Sequence, residues 1–193
     1  MTPLVVYFFI AISLLVYVYP YLIRQDPMRS KYDLATNENT LKYHDYARLF
    51  TSQFTHWDVF HLGVNMFSLF SVGTTAYVIL SLSLFELGRY AVLAFSALYL
   101  FCGVMAALFS INFGRRVSAG ASGAIFGIIG FITVFAFLTG QTALLSSLVL
   151  TIMINVAIGF MPGLNIDNWG HLGGFVGGVA FGLLFILGVP RLL

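Results

Sequence analysis

From Tyr90 to Pro190 the chain carries only three formally charged residues, Arg115, Arg116 and Asp167. A water-facing domain is roughly one-quarter charged, so no soluble surface can be made from this stretch. The whole chain agrees, with 60% apolar and 8% charged residues, and ten of its charges fall between Arg24 and Asp58. A soluble fold and a disordered chain are excluded. A net charge of +2 gives no basic face for nucleic acid. The expected surroundings are a lipid bilayer. Cys102, the only cysteine, lies in an apolar run and reads as a small core residue.

A bilayer core about 30 Å thick is crossed by ~20 apolar residues in a helix. Six runs of that kind occur, at 3–23, 59–84, 88–111, 120–138, 142–161 and 168–189. The expected fold is therefore all-α, a polytopic six-transmembrane-helix bundle forming one membrane domain over 1–193. The first run lacks a basic start and a small-residue cleavage site, so it reads as a span. The stretch from Arg24 to Asp58 mixes Leu41, Tyr43, Tyr46, Phe50 and Trp57 with Lys42, His44, Asp45 and Arg48. That mixture suits a long first loop of short helices lying in the membrane interface.

Ionisable and amide side chains are costly inside a bilayer and are functional candidates by default. Those near or within the runs are His56, His61, Asn65, Asn155, Asp167, Asn168 and His171, with Ser122 added for its setting in Gly120-Ala121-Ser122-Gly123. In a six-span chain the second, fourth and sixth helices start on the same membrane face. His61 and Asn65, Ser122, and His171 occupy those three starts, so all lie at one depth.

Gly170, Gly174, Gly178 and Gly182 recur every four residues in the sixth run, and Gly123 and Gly127 do so in the fourth. Such stripes let membrane helices approach closely. Facing stripes would draw Ser122 and His171 together. A serine needs a base as it attacks, and a neutral imidazole at a helix N-terminus can serve. Helix N–H groups at the fourth run, with His61 and Asn65 four apart on one face, would receive the developing oxyanion. This is acyl-transfer machinery. Water would enter past His56, His61, Ser118 and Asn168, and the expected substrate is a peptide bond in or near another protein's transmembrane helix.

These residues resemble the rhomboid family of intramembrane serine proteases. Gly120-Ala121-Ser122-Gly123 resembles the family's G-x-S-G. The stretch from His171 to Gly178 resembles H-x-x-G-x-x-x-G, and that from His56 through His61 to Asn65 resembles H-x-x-x-x-H-x-x-x-N. Glu86-Leu87-Gly88-Arg89-Tyr90 is similar to the family's turn between spans two and three. The resemblance implies a serine endopeptidase with a Ser122–His171 dyad, no third acidic member and no cofactor. His61, Asn65 and the Ser122 N–H would form the oxyanion hole. The first loop would lie in the membrane, and span five would act as a lateral gate for a transmembrane protein substrate. Two features depart from the family pattern. Ala47 stands where a tryptophan often precedes Arg48, and Phe126 stands where a tyrosine often stacks on the catalytic histidine.

Other roles are open to single residues. Ser122 in isolation would read as a packing residue, and His56 as a tie between the first loop and a backbone carbonyl. Asp167 reads as the cap of the sixth helix rather than a triad member. Asn155 reads as an interhelical hydrogen bond, and Arg115 and Arg116 as headgroup anchors. His56, His61 and His171 lack a metal-ligand pattern, so no metal is expected. The alternative function is a catalytically silent relative that binds and escorts membrane helices. The family topology places both termini in the cytoplasm of a cell-membrane protein. The Lys and Arg distribution points the other way, with Arg24, Arg29, Lys31, Lys42, Arg48, Arg115 and Arg116 outside against Arg89 and Arg191 inside.

Overall fold

A computed structural model of the chain describes residues 2–23, 26–84, 89–114, 117–159 and 166–188. Arg24, Arg115, Arg116, Arg191, residues 86–88 of the second connection, and the side chains of Arg89 and Asn155 lie outside the described residues.

Among the described residues, long apolar helices number six and form the body of the molecule: α1 (Leu4–Ile23), α5 (Val59–Ser83), α6 (Arg89–Phe113), α7 (Ser122–Leu138), α8 (Thr142–Gly159) and α9 (Asn168–Gly188). Among the described residues, four of them (α1, α5, α6 and α9) are long and apolar enough to cross a membrane. At 17 residues, α7 is about 25 Å long, some 5 Å short of a bilayer core. Its start also differs from the start of the apolar run at Gly120. Gly120 has φ +127°, a left-handed conformation that cannot belong to a right-handed helix, so the helix begins two residues later.

Between α1 and α5 the chain forms short elements rather than one domain-sized unit. They are α2 (Pro27–Leu34), β1 (Thr36–Asn37), α3 (Asn39–Lys42), α4 (Arg48–Thr51) and a 3₁₀ turn over Ser52–Phe54. β1 pairs antiparallel with β2 (Val117–Ser118), matching Thr36 to Ser118 and Asn37 to Val117. The segment is held by polar bonds. Arg48, without a tryptophan before it, pairs with Asp45 and donates to the carbonyls of Tyr32 at 2.7 Å and Ala35 at 3.1 Å. Lys31 is 2% exposed. Its Nζ donates to the Trp57 carbonyl at 2.8 Å and the Tyr21 hydroxyl at 3.0 Å, and lies over the Tyr17 ring at 4.3 Å. The aromatic faces and the carbonyl stand in for water around the buried ammonium.

The helices pack around α7, which is apolar on every face and buries twelve of its residues, as a helix in the centre of a bundle must. Its contact with α9 is backbone on backbone. A Cβ at Gly174 would overlap the Gly123 carbonyl, and one at Gly178 would overlap the Gly127 carbonyl. The same two glycines of α7 also meet α6, where a Cβ at Gly123 would strike Ala106 and one at Gly127 would strike Cys102. Val6, Phe9, Leu69, Phe95, Tyr99, Ile128 and Phe131 join α1, α5, α6 and α7 in one apolar cluster. Phe60, Phe67, Leu22 and Leu184 lie on the outside, each more than 70% exposed. Apolar surface on that scale requires lipid, not water, as its solvent.

Candidate active site

The first turn of α5 is set by Asp58, whose carboxylate accepts the His61 backbone N–H at 2.8 Å. This cap fixes where the helix starts and so directs His61, in the first turn, and Asn65, one turn on, to the same face. Opposite them lies Gly120, where an added Cβ would sit 2.8 Å from both Cε1 and Nε2 of His61 and 3.4 Å from Nδ2 of Asn65. Glycine is therefore required at 120 by its dihedral and by the imidazole against it. Asn65 is buried, and its Nδ2 has no hydrogen-bond partner among the described residues. A buried donor left unpaired costs about 1–3 kcal/mol, so its retention beside Gly120 calls for a functional explanation.

His56 is fully buried just before α5. Its Nδ1 lies 3.2 Å from the Phe54 carbonyl and its Nε2 lies 3.4 Å from the Ala121 backbone nitrogen. These partners fix the tautomer: Nδ1–H donates to Phe54, and Nε2 accepts the Ala121 N–H. Burial, reinforced by the neighbouring His61, pulls its pKa down to about 3 against the opposing bond to Phe54. His56 is therefore neutral and holds the turn that delivers Ser122. The His56 and His61 rings meet edge to face, with centroids 5.1 Å apart.

Ser122 opens α7 directly after that turn and is half-buried. Phe126, one helical turn further on the same face, stacks on the His171 ring at 4.3 Å between centroids and 10° between planes. His171 is half-buried in the first turn of α9, which the Gly123–Gly174 contact presses against α7. Asp167 caps α9, one oxygen accepting the Gly170 N–H at 2.9 Å and the other the Ser118 hydroxyl. Asn168 is half-buried as the first residue of α9. Among the described residues no group of three metal-ligating side chains occurs.

Residues 43–188 match the family model described as the Rhomboid domain. The chain belongs to the rhomboid family.

With its exposed apolar helices, this rhomboid is an integral membrane protein. It is 34% identical over 150 residues to RHOMBOID-like protein 1 of Arabidopsis thaliana, covering 75% of this chain and 36% of that protein. It is 35% identical over 150 residues to Rhomboid protease GluP of Bacillus subtilis (strain 168), covering 76% of this chain and 27% of that protein. Inactive RHOMBOID-like protein 8 of Arabidopsis thaliana is 31% identical over 141 residues, covering 69% of this chain and 36% of that protein. The chain thus spans well under half the length of these relatives. The similar proteins include one named a protease and one named inactive, so membership fixes the fold family and leaves activity to the site.

Lys31 and Gln53 are polar residues of the rhomboid fold that sequence reasoning passed over. Gln53 is buried, and its side chain fills the notch left by Gly103 on α6. Each lies in the charged stretch 24–58 and looks solvated. The available signal was the adjacency of small or aromatic partners (Gly103, Tyr17, Tyr21), but those lie far off along the chain.

Proposed function

We propose that this rhomboid is an intramembrane serine endopeptidase that cleaves transmembrane-helix substrates through Ser122 and His171. The observation that carries the proposal is the joint placement of their two helix starts. The α7 and α9 backbones touch at Gly123–Gly174, and the His171 ring lies flat on Phe126, one turn along the face that begins with Ser122. His171 takes the hydroxyl proton as Ser122 attacks the scissile carbonyl, then returns it to the departing amine. The oxyanion is received by the Ser122 N–H, His61 and the buried, unpaired Nδ2 of Asn65, all at the positive end of α7. Water then releases the acyl group from Ser122.

In this proposal the six helices all span, and the shortness of α7 places its serine end below the membrane surface. The segment 24–58 lies in the interface, α8 borders the substrate's entry, and both termini are cytoplasmic in a cell membrane. The substrate is another protein's membrane helix, and the reaction uses no cofactor.

Purified wild type should label with a fluorophosphonate and cut a membrane-anchored reporter. Ser122→Ala and His171→Ala should each abolish both, with a loss of at least about 10³-fold. Retained cleavage in either variant overturns the dyad. A folded wild type inert in both assays would assign the chain instead to the silent, helix-binding relatives.

A further inference from the structure

One polar link outside the reacting groups joins the two segments that carry them. Ser118 stands four residues before Ser122, and Asp167 four residues before His171. The Ser118 hydroxyl donates to Oδ2 of Asp167, while Oδ1 of the same carboxylate accepts the Gly170 N–H at 2.9 Å. The Asp167 carbonyl accepts the His171 N–H at 3.0 Å. The carboxylate presses on Gly170 so closely that a Cβ there would lie 2.7 Å from Oδ2.

Ser118 is itself fixed from the other side. Its backbone pairs with Thr36 in the β1–β2 ladder, and the Thr36 hydroxyl donates to its carbonyl at 3.0 Å. A hydroxyl-to-carboxylate bond is charge-assisted and directional, and this one crosses 49 positions of sequence. It closes a short ring: Ser118 to Ser122 along the chain, across the α7–α9 contact to His171, back to Asp167, and across the hydrogen bond to Ser118. The glycine contacts between α7 and α9 set how closely the helices approach, but smooth glycine faces do not by themselves stop one helix sliding along the other. A directional polar bond at the end where the helices begin does.

We infer that Ser118 and Asp167 are positioning residues, a latch that sets the register of α9 against α7 and so the reach of the His171 imidazole to the Ser122 hydroxyl. The inference rests on the protease assignment above. Reacting groups displaced by ~1 Å can lose about 10²-fold in rate, so a partly relaxed register should cost kcat while leaving substrate binding in place.

The test is steady-state cleavage of a membrane-anchored reporter by full-length protein in detergent, alongside the rate of fluorophosphonate labelling. Ser118→Ala removes the latch and leaves the α9 cap. It should lower kcat and the labelling rate about ten-fold with KM within about two-fold. Ser118→Thr keeps the hydroxyl and should restore kcat. Asp167→Asn keeps a cap acceptor for Gly170 but removes the charge, and it should cost less in the Ser118→Ala background than alone. The latch is overturned if the wild type is active and Ser118→Ala matches it. Independent, multiplying effects of the two substitutions overturn it too. So does a loss that follows only a lowered unfolding midpoint and is not restored by threonine. A wild type inert to both substrate and probe removes the protease assignment itself, and the latch with it.

Discussion

Acidification below the usual imidazole range should destabilise this protein through His56. The ring is fully buried, donates from Nδ1 to Phe54, and accepts the Ala121 N–H at Nε2. A second proton would displace the Ala121 bond and place an unpaired charge in the interior. Folding therefore depresses the pKa from about 6.5 in the unfolded chain to about 3. A group whose folded pKa is lowered stabilises the fold fully above its unfolded pKa. That stability drains away as pH falls from 6.5 toward 3, at about 1.4 kcal/mol per pH unit. At pH 5 the loss is about 2 kcal/mol, a large share of a marginal stability. The comparison is His56→Gln, whose amide oxygen can accept the Ala121 N–H and does not titrate in this window. Unfolding free energies from SDS titration in a mild non-ionic detergent should fall between pH 7.5 and pH 5 by about 2 kcal/mol more in the wild type than in His56→Gln. Contributions common to the two proteins cancel in the difference. Parallel curves, agreeing within about 0.5 kcal/mol, would show that His56 takes up its proton in the folded state and that its bond to Ala121 does not constrain the turn.

Gly178→Ala should destabilise the protein by about 1–3 kcal/mol in the same titration, because its Cβ would overlap the Gly127 carbonyl and neither backbone can step aside. Gly63→Ala, with nothing within 4 Å of the added carbon, is the matched control and should be neutral or slightly stabilising; equal losses would refute close α7–α9 contact as the reason for the stripe. Reporter fusions should place both termini on the cytoplasmic side despite the Lys and Arg distribution. Lys31 supports this, since its charge is sheathed by Tyr17, Tyr21 and the Trp57 carbonyl rather than free in a translocated loop, and external termini would reverse the assignment.

The parts of this fold legible in the sequence are periodic. Apolar runs long enough to cross a bilayer coincide with α1, α5, α6 and α9, because a chain with so few charges has little choice but helix in lipid. The four-residue glycine spacing likewise carries its own geometry, since positions four apart share a helix face, and the contacts at Gly174 and Gly178 lie on that face. His61, Ser122 and His171 stand in the first turns of α5, α7 and α9, and Asn65 stands one turn further into α5.

Polar pairing was not legible, because a hydrogen bond leaves no period. Lys31 meets Trp57 across 26 positions, Ser118 meets Asp167 across 49, and His56 meets Ala121 across 65. Each partner alone has an ordinary explanation as a solvated lysine, a funnel-lining serine or a loop histidine. Even Asp167, legible as a cap, showed only half its role, since the oxygen not occupied by Gly170 has a partner in another element. The two kinds of determinant divide the labour. Glycine faces bring α7 and α9 into contact but specify poorly where along their length they stop. The polar pairs cluster at the end where the helices begin, and each has at least one member within five residues of Ser122, His61 or His171. Register is therefore set where a reaction would need it, and substitutions there should alter rate more than stability, whereas those along the glycine stripe should do the reverse.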